Sequence, residues 1–338
     1  VSVEETSRYA GSFDDPARMV SAFAGVNGDA EGDNDIVVRG NSPKGILWRL
    51  EGVDIPNPNH FASEGSTGGP INALNGAMLD NSDFYSGAFS SDYGNALSGV
   101  FDIKLRTGNN ENREYSASLS VMGVDLTVEG PFSSNYKGSY LANYRYSTLS
   151  ILDDAGIVDF GGVPKYQDAS FKVKLPIGDK NIVTLFGLGG ISSISQNESK
   201  ESDENVVLWE SIYGAKLGVV GLSHTNYMND NMYLTTILSA QGTEEGYDYN
   251  EPDDAGQMSL YEDARFINTN LKAASTLNYK FNAQHKLKIG AIYTKRGFDL
   301  KSRTINELNN VMSPSFQASG NTDMIQAFTT WKYRISED

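Results

Sequence analysis

From Glu114 onward, apolar and polar residues alternate in one segment after another. "EYSASLSVM" sets Tyr115, Ala117, Leu119 and Val121 on one face, and "GVDLTVEG" sets Val124, Leu126 and Val128 opposite Asp125, Thr127 and Glu129. "GSYLANYRYS" continues with Tyr140, Ala142, Tyr144 and Tyr146, and the pattern returns near 167–175, 181–192, 207–226, 232–243, 264–281, 285–300 and 322–335. A period of two marks a strand with one buried face. Several segments exceed the strand length usual in globular domains, and together they predict about ten strands.

After the second strand, short and long connections alternate. Short ones fall at "PFSSNYK", "PIGDKN", "MNDN" and "NAQH", and long ones at about 147–166, 193–206, 244–262 and 301–321. Short turns on one rim and long loops on the other are the habit of outer-membrane β-barrels, with the turns periplasmic. Tyr115, Phe132, Tyr136, Tyr146, Trp209, Tyr227, Tyr233, Tyr279, Trp331 and Tyr333 sit near strand ends, where an interfacial girdle belongs. Alternation by itself also fits a secreted β-sandwich or solenoid.

The first hundred residues carry a different pattern. "DDPARMV" predicts a helix capped by Asp15, with Pro16 at its first position, Met19, Val20 and Phe23 on one face, and Gly25 as its stop. "DIVVRG" (35–40) and "GILWRLEGVDIP" (45–56) each read as a short strand. "GGPINALNGAML" (68–79) reads as a helix burying Ile71, Leu74, Met78 and Leu79, and "NSDFYSGAF" and "GVFDIKLRTG" add two more strands. This is a small α+β module.

Composition narrows the classes. With no Cys there is no disulfide framework, zinc–thiolate cluster or cysteine nucleophile. A formal charge of −16 argues against nucleic acid as a partner. No apolar run is long enough for a transmembrane helix, which leaves a barrel open because its apolar residues are dispersed. There is no signal peptide, and Val1 suggests that the natural start lies upstream.

"DIVVRG", "LWRLEGVDIPNPNHF" and "NSDFYSGAFSSDYGNALSGVFDIKLRTG" together resemble the successive boxes of the plug domain of TonB-dependent outer-membrane receptors. Arg39–Gly40 stands at the "IRG"-type box and Glu51–Gly52 at the "DG"-type turn, with Glu for the commoner Asp. Tyr93–Gly94 through Gly99 to Ile103 stands at the stretch that leads into the barrel. The resemblance implies a plug over residues 1–108 and the first part of a transmembrane β-barrel over 109–338. Ten strands are too few to enclose such a plug, since plugged lumens go with about 22 strands. The chain is therefore expected to belong to a larger polypeptide, with the TonB-engaging peptide upstream of Val1.

Candidate chemistry is non-catalytic. There is no GxSxG, GxxxxGK[ST] or HExxH pattern, and the three His are His60, His224 and His285. No enzyme, cofactor or metal is expected. His60 and Glu64 have helical spacing but follow Pro-rich sequence, and "DAEGDND" (29–35) lacks the Gly and terminal Glu of a calcium loop. His285 at a turn reads as solvated. Asp125, Glu129 and Arg145 on the polar faces of the first strands are expected to meet Arg39 and Arg106 of the plug as a latch. The resemblance makes "PNPNHF" an apical plug loop, with Asn57, Asn59, His60 and Phe61 as ligand contacts. Tyr247 and Tyr249, in the acidic segment "EEGYDYNEPDDAG", are offered as stacking surfaces, while "NESKESDEN" reads as an acidic outer loop.

Two functions follow from the resemblance. One is TonB-dependent import of a siderophore, haem, vitamin or glycan across the outer membrane of a Gram-negative bacterium. The other is a non-transporting plugged subunit or gate of a larger outer-membrane assembly, with a lipoprotein or another outer-membrane protein as partner. Outer-membrane lipid surrounds the barrel in either case.

Overall fold

The computed structural model describes residues 15–28, 34–63, 65–66, 68–120, 123–148, 151–152, 155, 162, 164–200, 203–253, 256–306 and 308–335. Residues 29–33 of the acidic stretch, Glu64 and Val121 fall outside these. The described residues form a small mixed module packed on one face of a long antiparallel sheet.

In the module, Ala17 N donates to Asp15 Oδ1 (2.7 Å), Pro16 opens helix α1 (Pro16–Val20), and Ser21 closes it. The helix is shorter than predicted, and Gly25 at φ +75° turns the chain into β1 (Val26–Gly28), which pairs with β2 (Ile36–Val38). "GILWRLEGVDIP" is a hairpin rather than one strand: β3 (Ile46–Leu50) and β4 (Val53–Ile55) are joined by Glu51 and Gly52 at φ +50° and +86°. Two positive φ values in a two-residue loop match the twist of the flanking strands. β5 (Asn59–His60) pairs with β6 (Ile71–Asn72). β7 (Asp83–Tyr85) and β8 (Gly99–Ile103) complete a four-stranded sheet of order β4-β3-β8-β7, parallel only between β3 and β8.

The helix expected over 68–79 does not form. β6 is followed by a single 3-10 turn at Gly76–Met78. Asn72 Oδ1 accepts from Leu74 N (2.8 Å) and Asn75 Oδ1 from Ala77 N (2.9 Å). Such local side-chain bonds satisfy backbone donors outside a helix and compete with it. Leu74, Met78 and Leu79 are still buried.

Ten strands follow in chain order, each antiparallel to the next: β9 (Glu114–Leu119), β10 (Val124–Pro131), β11 (Ser139–Tyr146), β12 (Lys165–Ile177), β13 (Asn181–Lys200), β14 (Asp203–Asn229), β15 (Met232–Pro252), β16 (Met258–Lys280), β17 (His285–Asn306) and β18 (Val311–Tyr333). Alternation selects the faces as expected: Leu126 and Val128 are exposed on the outer face, Thr127 and Glu129 buried on the inner one. Three of the predicted long loops are instead strand for most of their length. At about 3.3 Å per residue, the 27 residues of β14 extend about 90 Å, where a tilted membrane strand needs 9–11 residues. Cross-strand pairs such as Asp263–Arg303 help hold these extensions.

The hydrophobic core runs through both parts. Val20, Val38, Trp48, Leu50, Phe101 and Ile103 of the module cluster with Leu141, Phe186, Leu188 and Val219 from the inner face of the sheet. On the outer face, Leu185, Val220, Leu222, Leu238 and Leu271 stay exposed. At the short-turn rim, His285 stacks on Trp331 (5.6 Å) and Tyr333 (4.7 Å) and accepts from Trp331 Nε1, so it joins an aromatic cluster that is itself exposed.

Candidate functional site

The contact between module and sheet is a seam of charged and polar bonds. Glu129 Oε1 lies 2.7 Å from Arg106 Nη2, and Glu129 Oε2 also accepts from Asn109 N. Asn75 Nδ2 donates to Asp125 Oδ1. Arg145 donates through Nε (2.9 Å) and Nη2 (2.6 Å) to Asp168 Oδ2, and through Nη2 to the Asn72 carbonyl (2.6 Å). His60 Nε2 lies 3.0 Å from the same Asp168 oxygen.

His60 is buried, and that burial, reinforced by the nearby Arg145 charge, lowers its pKa against the opposing pull of Asp168. Arg145 already neutralises Asp168, so a neutral ring fits the geometry. Nε2–H then donates to the carboxylate, and Nδ1 is left as a buried acceptor without a partner. Gly190 makes room for the ring, since a Cβ there would lie 2.7 Å from His60 Cε1.

Three sheet lysines reach module carboxylates. Lys172 Nζ binds Glu51 Oε1 (3.0 Å) and the Leu105 carbonyl (2.6 Å). Lys272 Nζ lies 3.3 Å from Asp54 Oδ2, whose other oxygen accepts from Arg49 Nε (2.9 Å). Lys288 Nζ binds Asp92 Oδ2 (2.5 Å), and Arg49 Nη2 donates to the Asp92 carbonyl (2.6 Å). Burial opposes ionisation of Asp54 and Asp92, but these cations outweigh it and both pKa values are lowered. Hydroxyl bonds from Ser90 and Ser91 to Thr330 (3.0 and 2.7 Å) tie the module to β18.

No family model and no curated protein matches the sequence. Solved structures do match. FpvA of P. aeruginosa, determined with heterologous pyoverdines, aligns at TM-score 0.69 with 13% identity, over 96% of this chain and 48% of its own. The outer membrane transporter YddB from Escherichia coli aligns at 0.63 with 11% identity, over 98% and 54%. The ferric yersiniabactin uptake receptor FyuA from Yersinia pestis aligns at 0.56 with 12% identity, over 95% and 60%.

The fold is that of the TonB-dependent outer-membrane receptors. The chain spans about half the length of the structures it matches. The module corresponds to the plug and the ten-stranded sheet to part of the barrel wall.

In that frame, Arg106 and Glu129 meet directly across the seam. Asp125 meets Asn75 rather than an arginine, and Arg145 spans a wall carboxylate and the plug backbone. Arg39 does not join them: it is exposed, sits at φ +51° just past β2, and enters no ion pair among the described residues. Its guanidinium lies instead beside Gly87, 3.6 Å from where a Cβ would stand.

The expected apical contacts need correction too. Asn59 and His60 are buried at 1% exposure, with Asn59 held by Asn34 and Asn57, so neither presents a free face to a ligand. Asn57 is turned inward to the Gly68 carbonyl (2.7 Å). Phe61 is half-buried, with its N–H on Ser192 Oγ (3.0 Å). Tyr247 and Tyr249 share the inner face with Tyr213, which donates to the Ala62 carbonyl of the plug. Trp209 stacks on Tyr249 (6.1 Å) and so faces inward rather than joining a girdle.

Sequence reasoning missed Asp168, Lys172, Lys272 and Lys288. The available signal was parity, because Asp168 and Lys172 lie an even number of residues apart and share one strand face.

Proposed function

We propose that this chain is part of an energy-coupled outer-membrane importer in which the plug obstructs the lumen until work displaces it. The observation that carries this reading is the seam itself. Salt bridges Arg106–Glu129, Glu51–Lys172, Asp54–Lys272 and Asp92–Lys288 join plug to wall at four separated places. Glu51–Lys172 and Asp54–Lys272 are shielded from water on both sides, and removing one partner of such a pair costs about 3–5 kcal/mol. A seam of this kind suits a closure that opens under applied force and stays shut otherwise. TonB, engaged through a segment upstream, supplies that work in this reading, and Arg106–Glu129 with the Arg145 node acts as the latch. The half-buried Phe61 and the inward Tyr247 and Tyr249 line the approach for ligand.

The chain has no cysteine, so an engineered pair gives one unambiguous crosslink. Asn75→Cys with Asp125→Cys replaces a bonded plug–wall pair. In the native bacterium, deletion of the gene should slow growth on one scarce nutrient. Wild type should restore growth, and the crosslinked variant should restore it only with reductant. Full growth of the oxidised variant would refute plug displacement. No nutrient-dependent defect, with loss of a co-purifying outer-membrane complex instead, would favour the assembly-subunit reading.

A further inference from the structure

Three wall lysines that face the plug come with carboxylates: Lys172 binds Glu51, Lys272 binds Asp54 and Lys288 binds Asp92. Toward the short turns the same face carries a second set that does not. Lys280 follows Lys272 on β16, Lys286 precedes Lys288 on β17, and Lys332 follows Thr330 on β18, whose hydroxyl is bonded by Ser90 and Ser91 of the plug. Each lies an even number of residues from its plug-bound neighbour, so all three stand on the plug-facing side.

The register sets them in one row, Lys280 opposite Lys286 and Lys286 opposite Lys332. Neighbouring strands are about 4.8 Å apart, so three like charges follow one another at about that interval. Like charges directly opposite destabilise a sheet. All three are exposed, and none enters an ion pair among the described residues. They line a depression of about 290 Å³, in which Lys288 is already matched by Asp92 and the one carboxylate is Asp230, from the turn between β14 and β15. From the register row of Lys172 and Lys272 down to the turns, the plug-facing positions of β12–β18 hold no carboxylate, and Lys174 adds a further cation. On a chain of net charge −16 this is a local reversal of sign.

The other side of the same strand ends carries Tyr279, Trp331 and Tyr333, the residue types of a membrane interface. Lipid headgroups therefore meet that side, and the lysine row opens on the lumen below the plug.

We propose that this row docks an acidic segment of a periplasmic polypeptide, its carboxylates set against Lys280, Lys286 and Lys332. The inference rests on the reading of the sheet as a membrane wall with its short turns periplasmic. Acidic side chains three or four apart on a helix stand about 5–6 Å from one another, which matches the row. A water's share of liquid volume is about 30 Å³, so the depression is far roomier than one small anion requires. The wall thus offers beneath the plug the lysine–carboxylate chemistry that it uses against the plug itself.

The test uses the full-length protein purified in mild detergent, with fluorescence anisotropy of labelled hexaglutamate as the readout. Lys280→Gln, Lys286→Gln and Lys332→Gln together remove the row. Lys216→Gln, Lys295→Gln and Lys301→Gln together remove the same charge from the outward face. Wild type and the outward variant should bind hexaglutamate alike, and the row variant should bind it about tenfold more weakly or worse, equivalent to about 1.4 kcal/mol, with protease resistance of the plug unchanged. Binding to wild type should weaken as salt is raised. Equal binding in all three forms, no binding to wild type, or displacement of the peptide by an equal concentration of inorganic phosphate would overturn the proposal. Retention of phosphatidylglycerol vesicles that is lost with the row would assign the lysines to lipid and overturn it as well. The orientation beneath it has its own readout: Asn231→Cys should react with an impermeant maleimide only after the outer membrane is opened, and labelling of intact cells would overturn the wall reading instead.

Discussion

Asp54 and Lys272 lie far apart in the chain yet meet in the seam, Nζ standing 3.3 Å from Oδ2 and 3.2 Å from the Asp54 carbonyl. Both side chains are largely buried, at 13% and 9% exposure, and Arg49 holds the other carboxylate oxygen. The pair fastens the β3–β4 hairpin of the plug to β16 of the wall. Lys272→Met leaves Asp54 with one cation and should weaken plug seating by about 3–5 kcal/mol. Asp54→Asn in the same chain should return much of that loss, because no unpaired charge remains. Urea titration of plug protease resistance measures both, and an unchanged midpoint in Lys272→Met would show that the pair contributes nothing.

Acid should loosen the plug in two stages. The His60 pKa is lowered by burial, so the neutral ring is favoured in the fold, and this contribution is fully present above the unfolded value near 6.5. It is lost as pH falls from about 6.5 toward the depressed folded value, because the unfolded state binds the extra proton first. Asp54 and Asp92 are also lowered, since Lys272, Lys288 and Arg49 outweigh their burial, and their contribution persists until pH falls below the ordinary carboxylate range. Plug stability should therefore begin to decline as pH falls below about 6.5 in wild type, ahead of the carboxylates, and stay level there in His60→Gln. Parallel curves for the two would remove His60 from the account.

The chain itself shows which parts of this arrangement could be read in advance. Leu126 and Val128 against Thr127 and Glu129 differ so sharply in polarity that a period of two assigns their faces correctly. Phe186, Leu188, Leu217 and Val219 were not assignable in that way, because their strands are apolar on both faces and only the plug decides which side is buried. Asn59 and His60 are expected as ligand contacts only because the family resemblance makes their segment an apical plug loop. They are buried because Asn34 and Asp168 satisfy them from distant parts of the chain, with Asn57 close by in sequence. The helix expected at 68–79 failed for a local reason that the sequence does contain, the Asn72 and Asn75 side chains capping their own turns.

Gly190 lies under the His60 ring, and a methyl group there would approach Cε1 to 2.7 Å. The ring cannot swing aside without breaking its bond to Asp168. Gly190→Ala should therefore destabilise the plug seat by about 1–3 kcal/mol, the usual range for overpacking. Gly218→Ala, on the outer face with open space around it, serves as the matched substitution and should leave the seat unchanged. Equal effects of the two would mean that the wall tolerates added methyl groups or resists them irrespective of the plug.

Phe186 belongs to the wall but is buried with the plug core, at 0% exposure beside Leu188 and Val219. Gly221 on the neighbouring strand makes the space for it, since a Cβ there would collide with the ring. Truncating a buried phenylalanine removes its transfer free energy and leaves a cavity, together about 3–5 kcal/mol. The loss in Phe186→Ala should fall on plug seating, because the ring packs inward while the strand keeps its backbone pairing to β12 and β14. Leu238→Ala, on the outward side of the sheet at 52% exposure, should leave the plug unmoved. Protease resistance of the plug should fall in the first variant alone, and equal loss in both would place the stabilising contacts in the wall rather than in the seam.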